Sequence, residues 1–221
     1  MHWRDEGFLL SKSNFNENSI IIETLTQDHG KYSGIVYGGL SRKQKKKFQI
    51  GNKILLNWKA KSENKIGYFN VELIQPIAPL YFDDKKRSAC ILAASTLLKI
   101  LLPERQINKK IYISFESFLN HLHENNCIKK YILWELSLVK ELGFEISFFN
   151  KNNKLNNNFI NVNGRSFKIP RIVLDSDIIK VSNAEVKEAL IFNKNIILEN
   201  FILPNKLRYP ISRNILEKYY N

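Results

Sequence analysis

The sequence predicts an α+β protein in which a small barrel of five β-strands, within residues 1–80, precedes a mainly α-helical domain over residues 81–221. Three observations support this prediction. Apolar residues recur with the period of strands up to about residue 75, Pro76 and Pro79 then end that pattern, and the period becomes helical directly afterwards. A chain of 221 residues is also long enough to bury a core in each half.

The predicted strands each have one apolar face. In KILLNWKAK, residues 53–61, the side chains of Ile54, Leu56 and Trp58 fall on one side, and YFNVELI, residues 68–74, alternates in the same way. Three earlier apolar runs, separated by turn-forming residues, complete the set of five. Five short strands with one long loop between the third and fourth suit an OB-fold barrel, whose face and loops commonly bind oligonucleotides. An SH3-like barrel would give a similar pattern.

The second domain begins where helical periodicity begins. Asp83 or Asp84 is expected to cap the first of three consecutive helices, and Pro103 ends it. Ser182 and Glu185 form a capping-box pattern that starts another helix nearer the C-terminal end. The helices therefore account for most of this domain.

An insertion interrupts the helical domain around residues 148–181. It is rich in Asn and contains no cysteine, and its second half, INVNGRSFKIPRIV, predicts a short hairpin that turns at Asn163 and Gly164. We expect this segment to form a loop followed by that hairpin.

The charge balance favours an anionic partner. The chain has 34 Lys and Arg against 21 Asp and Glu, a formal net charge of +13. Such a field attracts polyanions, so nucleic acid is the leading candidate and an anionic membrane surface the second. Frequent Asn, Lys and Ile are also typical of AT-rich genomes, which reduces the weight of the lysine count alone.

One cationic loop predicts where nucleic acid binds. The stretch GGLSRKQKKKFQIGN, residues 38–52, carries five cations between glycine-bearing ends: Arg42, Lys43, Lys45, Lys46 and Lys47. We expect Lys59 and Lys61 of the next strand to lie beside this loop. Nearby aromatic residues offer stacking surfaces, although Trp58 is favoured as core: Tyr37, Phe48, Trp58 and Tyr68. A lysine run is often only solvated surface, but this context favours phosphate contact.

The sequence contains no pattern of a catalytic or metal site. A P-loop and a nucleophile elbow are both missing. The two cysteines, Cys90 and Cys127, fall in apolar helical segments and are too few for a four-cysteine zinc site. Of the nearby histidines, only His123 shares a helix face with Cys127, and two ligands do not make a zinc site. We therefore predict a protein that is not an enzyme and needs neither metal nor cofactor.

Targeting signals are not recognised either. The first ten residues, MHWRDEGFLL, mix charges from the start, and no apolar run approaches the length of a membrane span. We expect a soluble, cytoplasmic protein without a membrane partner.

Several segments resemble one known family, the bacterial recombination mediators called RecO. The first 43 residues, MHWRDEGFLLSKSNFNENSIIIETLTQDHGKYSGIVYGGLSRK, contain segments similar to the family's W-x-D-E-G, L-T-x-x-H-G and G-G-x-S-R-K. SACILAASTLLKILLPER and YILWELSLVKELGFEI resemble two of its helical segments, so the resemblance covers about residues 1–148. LPNKLRYPISRNILEKYY resembles the family's C-terminus loosely.

This resemblance implies a fold and a function. It implies an N-terminal OB-fold and a helical C-terminal domain that bind single- and double-stranded DNA, anneal complementary strands and, with RecR and the single-stranded-DNA-binding protein SSB, help to load RecA. It also implies that Arg42, Lys43 and the lysines after them contact DNA, in a cytoplasmic, nucleoid-associated protein. Many members carry a four-cysteine zinc module where residues 148–170 here hold no cysteine, so zinc is not expected. Two alternatives stay open: a basic RNA-binding module, and an adaptor whose main ligand is a protein tail.

The resemblance implies that the SSB tail is a partner, and we predict a pocket for this tail in the helical domain. Such a tail is acidic and ends in an apolar side chain with a free carboxylate, so its receptor needs an apolar pocket with a cationic rim. The candidate cations are Lys109, Lys110, Lys129 and Lys130. The candidate wall residues are Tyr112, Phe115, Tyr131 and Leu133. In the alternative interpretation these aromatic residues are core and the lysines are solvated.

Overall fold

The computed structural model describes residues 1–62, 66–144, 159–175 and 180–220, apart from the side chain of Lys43. Within these residues five strands form a closed barrel, and helices with one two-stranded hairpin follow it. The predicted α+β class, an OB-fold barrel followed by a helical region, is confirmed.

The barrel is closed by β1 pairing with both β2 and β4. Its strands are β1 (His2–Asn14), β2 (Ser19–Thr26), β3 (Gly30–Tyr37), β4 (Lys53–Lys59) and β5 (Gly67–Gln75). They lie in the order β1-β2-β3-β5-β4, so β3 and β5 lie across the barrel from β1. The seam between β3 and β5 is parallel and short, with Gly34 opposite Gly67 and Ile35 opposite Tyr68.

Helices dominate the rest of the described chain. They are α1 (Arg42–Lys45), α2 (Lys85–Leu101), α3 (Lys109–Asn120), α4 (Cys127–Glu141), α5 (Arg171–Leu174), α6 (Asn183–Ile197) and α7 (Ile211–Lys218). A 3-10 turn, Ala78–Tyr81, leads into α2, which Asp84 caps by accepting a hydrogen bond from Arg87 N. The capping box of Ser182 and Glu185 starts α6 as predicted.

The predicted hairpin is present within the insertion. Strands β6 (Phe159–Val162) and β7 (Arg165–Lys168) are joined by Asn163 and Gly164, whose φ angles are 50° and 80°. Both angles are left-handed, as a two-residue hairpin turn requires. Asn163 Nδ2 donates to Glu199 O at 3.0 Å, which ties the turn to the π-helical segment Leu198–Ile202 that follows α6. Two parts of the predicted insertion lie outside the described residues: 148–158 and 176–179.

The outer face of the barrel shares one apolar core with the helices, and the barrel interior forms a second. Phe8 on the outer face of β1 is buried, and its ring centroid lies 5.4 Å from that of Tyr112 and 5.3 Å from that of Phe115 on α3. Lys53 Nζ joins the same two parts through charge, at 2.9 Å from Glu6 Oε2 and 2.8 Å from Glu116 Oε1. The two halves therefore pack as one body, and the predicted division at residue 80 stays a prediction.

A fully buried ion pair joins the last helices to α4. Arg213 Nε lies 2.5 Å from Glu135 Oε1, and Arg213 Nη2 lies 3.1 Å from Oε2. The same carboxylate accepts hydrogen bonds from Tyr131 Oη at 2.6 Å and Asn193 Nδ2 at 3.0 Å, and Arg213 Nη2 also donates to Leu190 O at 2.8 Å. A charge in such a dry site is tolerated only when it is paired and hydrogen-bonded.

We predict that Arg213→Met lowers the free energy of unfolding by about 3–5 kcal/mol, because it leaves the Glu135 carboxylate buried without its partner. Urea denaturation of the full chain, followed by circular dichroism and tryptophan fluorescence, measures the change. Replacing both partners, Glu135→Leu with Arg213→Met, should recover part of the loss since no charge is then left unpaired. Glu188→Gln breaks an exposed pair with Lys168 and should leave the midpoint nearly unchanged. An equal effect of Arg213→Met and Glu188→Gln would contradict the prediction.

Candidate nucleic-acid interface

Two polar residues of the N-terminal motifs, Asp5 and His29, stabilise the barrel. The Asp5 carboxylate accepts a hydrogen bond from Asp28 N at 2.8 Å and lies 2.8 Å from His29 Nδ1. The His29 ring stacks on Trp3 with 4.2 Å between centroids. These contacts hold the β2–β3 turn against β1, so the Asp–His pair has a structural role.

The cationic loop of residues 38–52 starts with a tight turn. Ser41 N donates to Gly38 O at 3.1 Å, which keeps the two ends of the turn within about 7 Å and places Arg42 close to the end of β3. Helix α1 follows directly, and the side chains of Arg42, Lys45 and Lys46 are exposed. These three predicted DNA contacts are thus free to meet phosphates. The side chain of Lys43, a fourth, lies outside the described part of the structure.

The end of the loop belongs to the barrel. Phe48 is buried in the barrel core, and its carbonyl oxygen accepts a hydrogen bond from Lys12 Nζ at 2.5 Å. Lys47 is half-buried and donates to Val71 O of β5 at 3.4 Å. The prediction that Phe48 offers a stacking surface is wrong, because its ring fills the barrel interior. Trp58, which the sequence favours as core, is buried there too.

Lys59 lies at the opposite end of β4 from the point where the cationic loop enters that strand. The loop enters β4 at Lys53, and six residues of extended strand, roughly 20 Å, separate that end from Lys59. The near end of the loop follows Tyr37, however, whose ring lies close to that of Tyr68, the β5 partner of Lys59, so the expected position of Lys59 and Lys61 beside the loop stays a prediction. Both lysines are exposed and line a concave surface with His2 and Tyr68.

Exposed aromatic side chains connect these two groups of cations. Tyr37, at the end of β3, is 66% exposed, and Tyr68, at the start of β5, is 43% exposed. Their ring centroids are 6.2 Å apart, with the rings tilted by 53°. Aromatic faces at such spacing on a cationic surface suit successive unpaired bases.

Phe15 extends the aromatic row, although the sequence analysis did not single it out. It is 51% exposed in the β1–β2 turn, where its backbone N donates to Ser19 O at 2.9 Å. Ser19 pairs with Tyr37 in the sheet, so Phe15 lies in the turn next to the exposed tyrosines. The available signal was an aromatic residue within NFNEN, a polar turn, but the same signal in KKKFQ belongs to the buried Phe48.

Together these residues define the candidate interface: Phe15, Tyr37 and Tyr68, with Arg42, Lys45 and Lys46 at one side and Lys59 and Lys61 at the other. It lies on strands and loops that OB-folds use for oligonucleotides. Cations supply phosphate contacts that do not depend on base identity, and aromatic rings supply stacking.

Most of the residues predicted for the SSB-tail pocket lie elsewhere. Tyr112, Phe115 and Tyr131 are buried in the core shared with the barrel, so they cannot line an open pocket, and that part of the prediction is wrong. Lys129 is also buried. Lys109 and Lys110 are exposed, and each forms an ion pair: Lys109 with Asp28 at 2.8 Å and Lys110 with Glu141 at 3.7 Å.

Lys130 and Leu133 do line a groove, which runs between α3 and α4. Its volume is about 340 Å³ and it includes the nearly buried rings of Phe118 and Trp134. Its polar lining consists of Ser114, Ser117, Ser137 and His121. Lys130 Nζ lies 2.5 Å from Glu124 Oε1, and this contact lowers the pKa of Glu124. The groove therefore combines an apolar floor with a cation and several hydroxyl groups.

The described residues contain no cluster of three or more His, Cys, Asp or Glu that could hold a metal ion. Cys90 is fully buried, and burial raises the pKa of its thiol; the same cause raises the pKa of Cys127. Both thiols are therefore held in the neutral, unreactive form. In the same part of the chain no helix has both the length and the apolar character to cross a membrane.

Comparison with known proteins adds an independent line of evidence. The family model described as Recombination protein O N terminal matches residues 1–77, and that described as Recombination protein O C terminal matches residues 83–154. A DNA repair protein RecO of Roseobacter denitrificans is 36% identical over 148 residues, which cover 66% of this chain and 61% of that relative. A relative of the same name from Cereibacter sphaeroides is 36% identical over 144 residues, which cover 65% of this chain and 60% of that relative. One from a Wolbachia species is 31% identical over 148 residues, which cover 66% of this chain and 61% of that relative. The chain thus matches about three fifths of the length of these curated relatives.

We predict that Tyr37→Leu and Tyr68→Leu each weaken binding of a labelled oligothymidine by about 1–3 kcal/mol, the usual contribution of one stacked base. Binding to a duplex of equal length should change little, because paired bases are not available for stacking. Fluorescence anisotropy measures both affinities. Tyr219→Leu, at an exposed tyrosine after α7, is the matched control and should alter neither. Equal losses for the single strand and the duplex would contradict the stacking role.

Proposed function

This chain belongs to the RecO family, and on that basis we propose that it is a DNA repair and recombination protein that binds single- and double-stranded DNA and anneals complementary strands. The observation that carries the proposal is the exposed pair Tyr37 and Tyr68, set between two groups of cations on the barrel. A basic surface alone would suit any polyanion, whereas exposed aromatic rings among cations suit unpaired strands.

Annealing follows from the same chemistry. Two complementary strands repel each other, and a protein of net charge +13 lowers that repulsion by neutralising phosphates on both. Contacts to phosphates and to the faces of bases do not depend on sequence. Three aromatic side chains engage only a few bases at a time, so the remaining bases stay free to pair. We therefore expect weak sequence preference.

The helical region is proposed to bring the partners together. In this proposal the protein acts with RecR and helps to load RecA onto SSB-coated DNA, as the family resemblance implies. The groove between α3 and α4 is the proposed receptor for the acidic SSB tail. Its apolar floor, Phe118 and Trp134, suits the last side chain of the tail, and Lys130 suits the free carboxylate.

We predict that Arg42→Ala combined with Lys45→Ala and Lys46→Ala weakens DNA binding similarly for unrelated sequences. The slope of log affinity against log salt should fall by roughly 0.7–0.9 for each phosphate that the protein no longer neutralises. Lys47 is left unchanged because its side chain is bonded to the barrel. Annealing of SSB-coated complementary strands, followed by energy transfer between labels, should slow in parallel.

The matched control is Lys140→Ala with Lys218→Ala, which removes exposed cations from helix ends far along the chain from the barrel. It should reduce neither the salt slope nor the annealing rate by a comparable amount. An unchanged slope in the Arg42, Lys45 and Lys46 variant would identify the loop as solvated surface. Tighter binding of an RNA than of a DNA of equal length would favour the RNA-binding alternative.

We predict that Lys130→Glu weakens binding of a labelled SSB-tail peptide at least about tenfold, because it places a carboxylate where the tail's own carboxylate would bind. Isothermal titration or anisotropy with the full chain measures the affinity. Lys110→Glu is the control, since Lys110 is an exposed lysine of the same region that pairs with Glu141. A tail peptide that lacks the last apolar residue should bind neither the unaltered protein nor the Lys110→Glu variant. Equal affinity of the two peptides would rule out this groove as the tail receptor.

A further inference from the structure

A second pocket, of about 230 Å³, lies where the barrel meets α2. Gln49 and Ile50, from the loop before β4, form one wall, and Ile91 and Leu92 of α2 form the other. The two walls are held in close contact: a Cβ at Gly51, whose φ is +92°, would collide with the Ile91 side chain. Only glycine satisfies both that contact and that backbone angle. The pocket is therefore a built feature of the junction.

Two of the three polar side chains that line the pocket, Lys12 and Ser88, form short hydrogen bonds to backbone carbonyls, and Gln49 donates to Lys45 O at 3.5 Å. Lys12 Nζ donates to Phe48 O at 2.5 Å, and Ser88 Oγ donates to Tyr81 O at 2.5 Å. A polar ligand group inside the pocket would lose water and find little to replace it, which is unfavourable. The part of a ligand that enters must therefore be apolar.

Bulky apolar side chains are exposed around the entrance. Phe82 and Leu92 both line the pocket, and Phe82 is 60% exposed. Leu80, two residues earlier at the end of the barrel-to-helix connection, is 68% exposed. Grouped exposed apolar side chains next to a preformed pocket are typical of a surface that contacts another protein.

The charge around this entrance is positive. Lys12 lines the pocket on the barrel side, and burial together with the nearby charge of Lys45 lowers the pKa of its ammonium group. On the helix side Lys85 is exposed and Asp84 is paired with Arg87, whereas Asp83, beside Phe82, is one exposed carboxylate. A second copy of this chain, with the same net charge of +13, would be repelled, whereas an acidic segment would be attracted.

We propose that this junction pocket docks an acidic segment of a partner protein through one bulky apolar side chain. The side chain enters between Ile50 and Leu92 and packs beside Phe82, and flanking carboxylates face Lys45 and Lys85. Unlike the proposal for the groove between α3 and α4, this proposal assigns no role to a free C-terminal carboxylate, and it concerns an internal acidic segment. The proposal does not depend on DNA binding.

The test uses a short fluorescent peptide of Asp and Glu with one central Phe, blocked at both ends, and the full chain. We expect saturable binding at low salt that weakens at least about tenfold when the Phe is replaced by Ser, or the acids by their amides. Phe82→Ser and Leu92→Glu should each cause a similar loss. Ile113→Glu, at a 60% exposed apolar residue on α3, is the matched control and should bind as the unaltered protein does.

A benzophenone in place of the peptide's Phe then locates the contact. Cross-links to the segment from Leu80 to Leu92 support the proposal. Cross-links to the groove between α3 and α4, or no binding of the peptide, would overturn it. The proposal would also be overturned if Phe82→Ser weakened the binding of an oligonucleotide, because the pocket would then be a site for a base. Self-association of the unaltered protein that Leu92→Glu abolishes would identify a second copy as the occupant.

Discussion

The packing of Phe8 against Tyr112 and Phe115 is the contact on which the arrangement of this protein depends. It buries Phe8 against α3, while α2 packs along the same strand, so the outer face of β1 joins the two halves. β3 and β5 lie across the closed barrel from β1, and although Lys31 near the start of β3 is bonded to Lys99 O of α2, the side chains of Tyr37 and Tyr68 remain exposed. One apolar contact thus determines both which aromatic residues become core and which surface is left for nucleic acid.

The same junction accounts for the close approach of the loop before β4 to α2. Lys53 is clamped between Glu6 and Glu116, and the collision that any Cβ at Gly51 would make with Ile91 shows how tightly the two elements are held. The cationic loop is therefore anchored at its far end, through Phe48 and Lys47, while α1 at its near end remains exposed. A loop that is anchored at one end and carries exposed cations at the other is suited to contact a flexible polyanion.

A different force secures the C-terminal helices. The ion pair of Glu135 and Arg213 joins α7 to α4 inside a dry core, and α7 lies beyond residue 154, where the family match ends. Ion pairs of this kind add little net stability compared with apolar residues of similar volume, but their geometry allows few alternative packings. The hairpin from Phe159 to Lys168 adds a smaller contact through Asn163. These polar contacts hold together a segment that contains no cysteine.

The sequence by itself determined the local features. Strand and helix periods predicted the barrel and the helical region, and short-range chemistry predicted the capping box at Ser182 and the turn at Asn163 and Gly164. Each of these depends on residues within a few positions of one another, so the order of residues contains the necessary information. The family motifs near the N-terminus were recognisable for the same reason.

Only the tertiary structure decided which apolar residues are exposed. An apolar period shows that a face is buried but not against what, so Tyr112, Phe115 and Tyr131 were indistinguishable from pocket walls until the barrel and α7 were in place. Phe48 and Phe15 are both aromatic residues of loops, yet one fills the barrel and the other faces solvent. Likewise the position of Lys59 beside Tyr68 depends on the pairing of β4 with β5, because the two ends of an extended strand of this length lie roughly 20 Å apart.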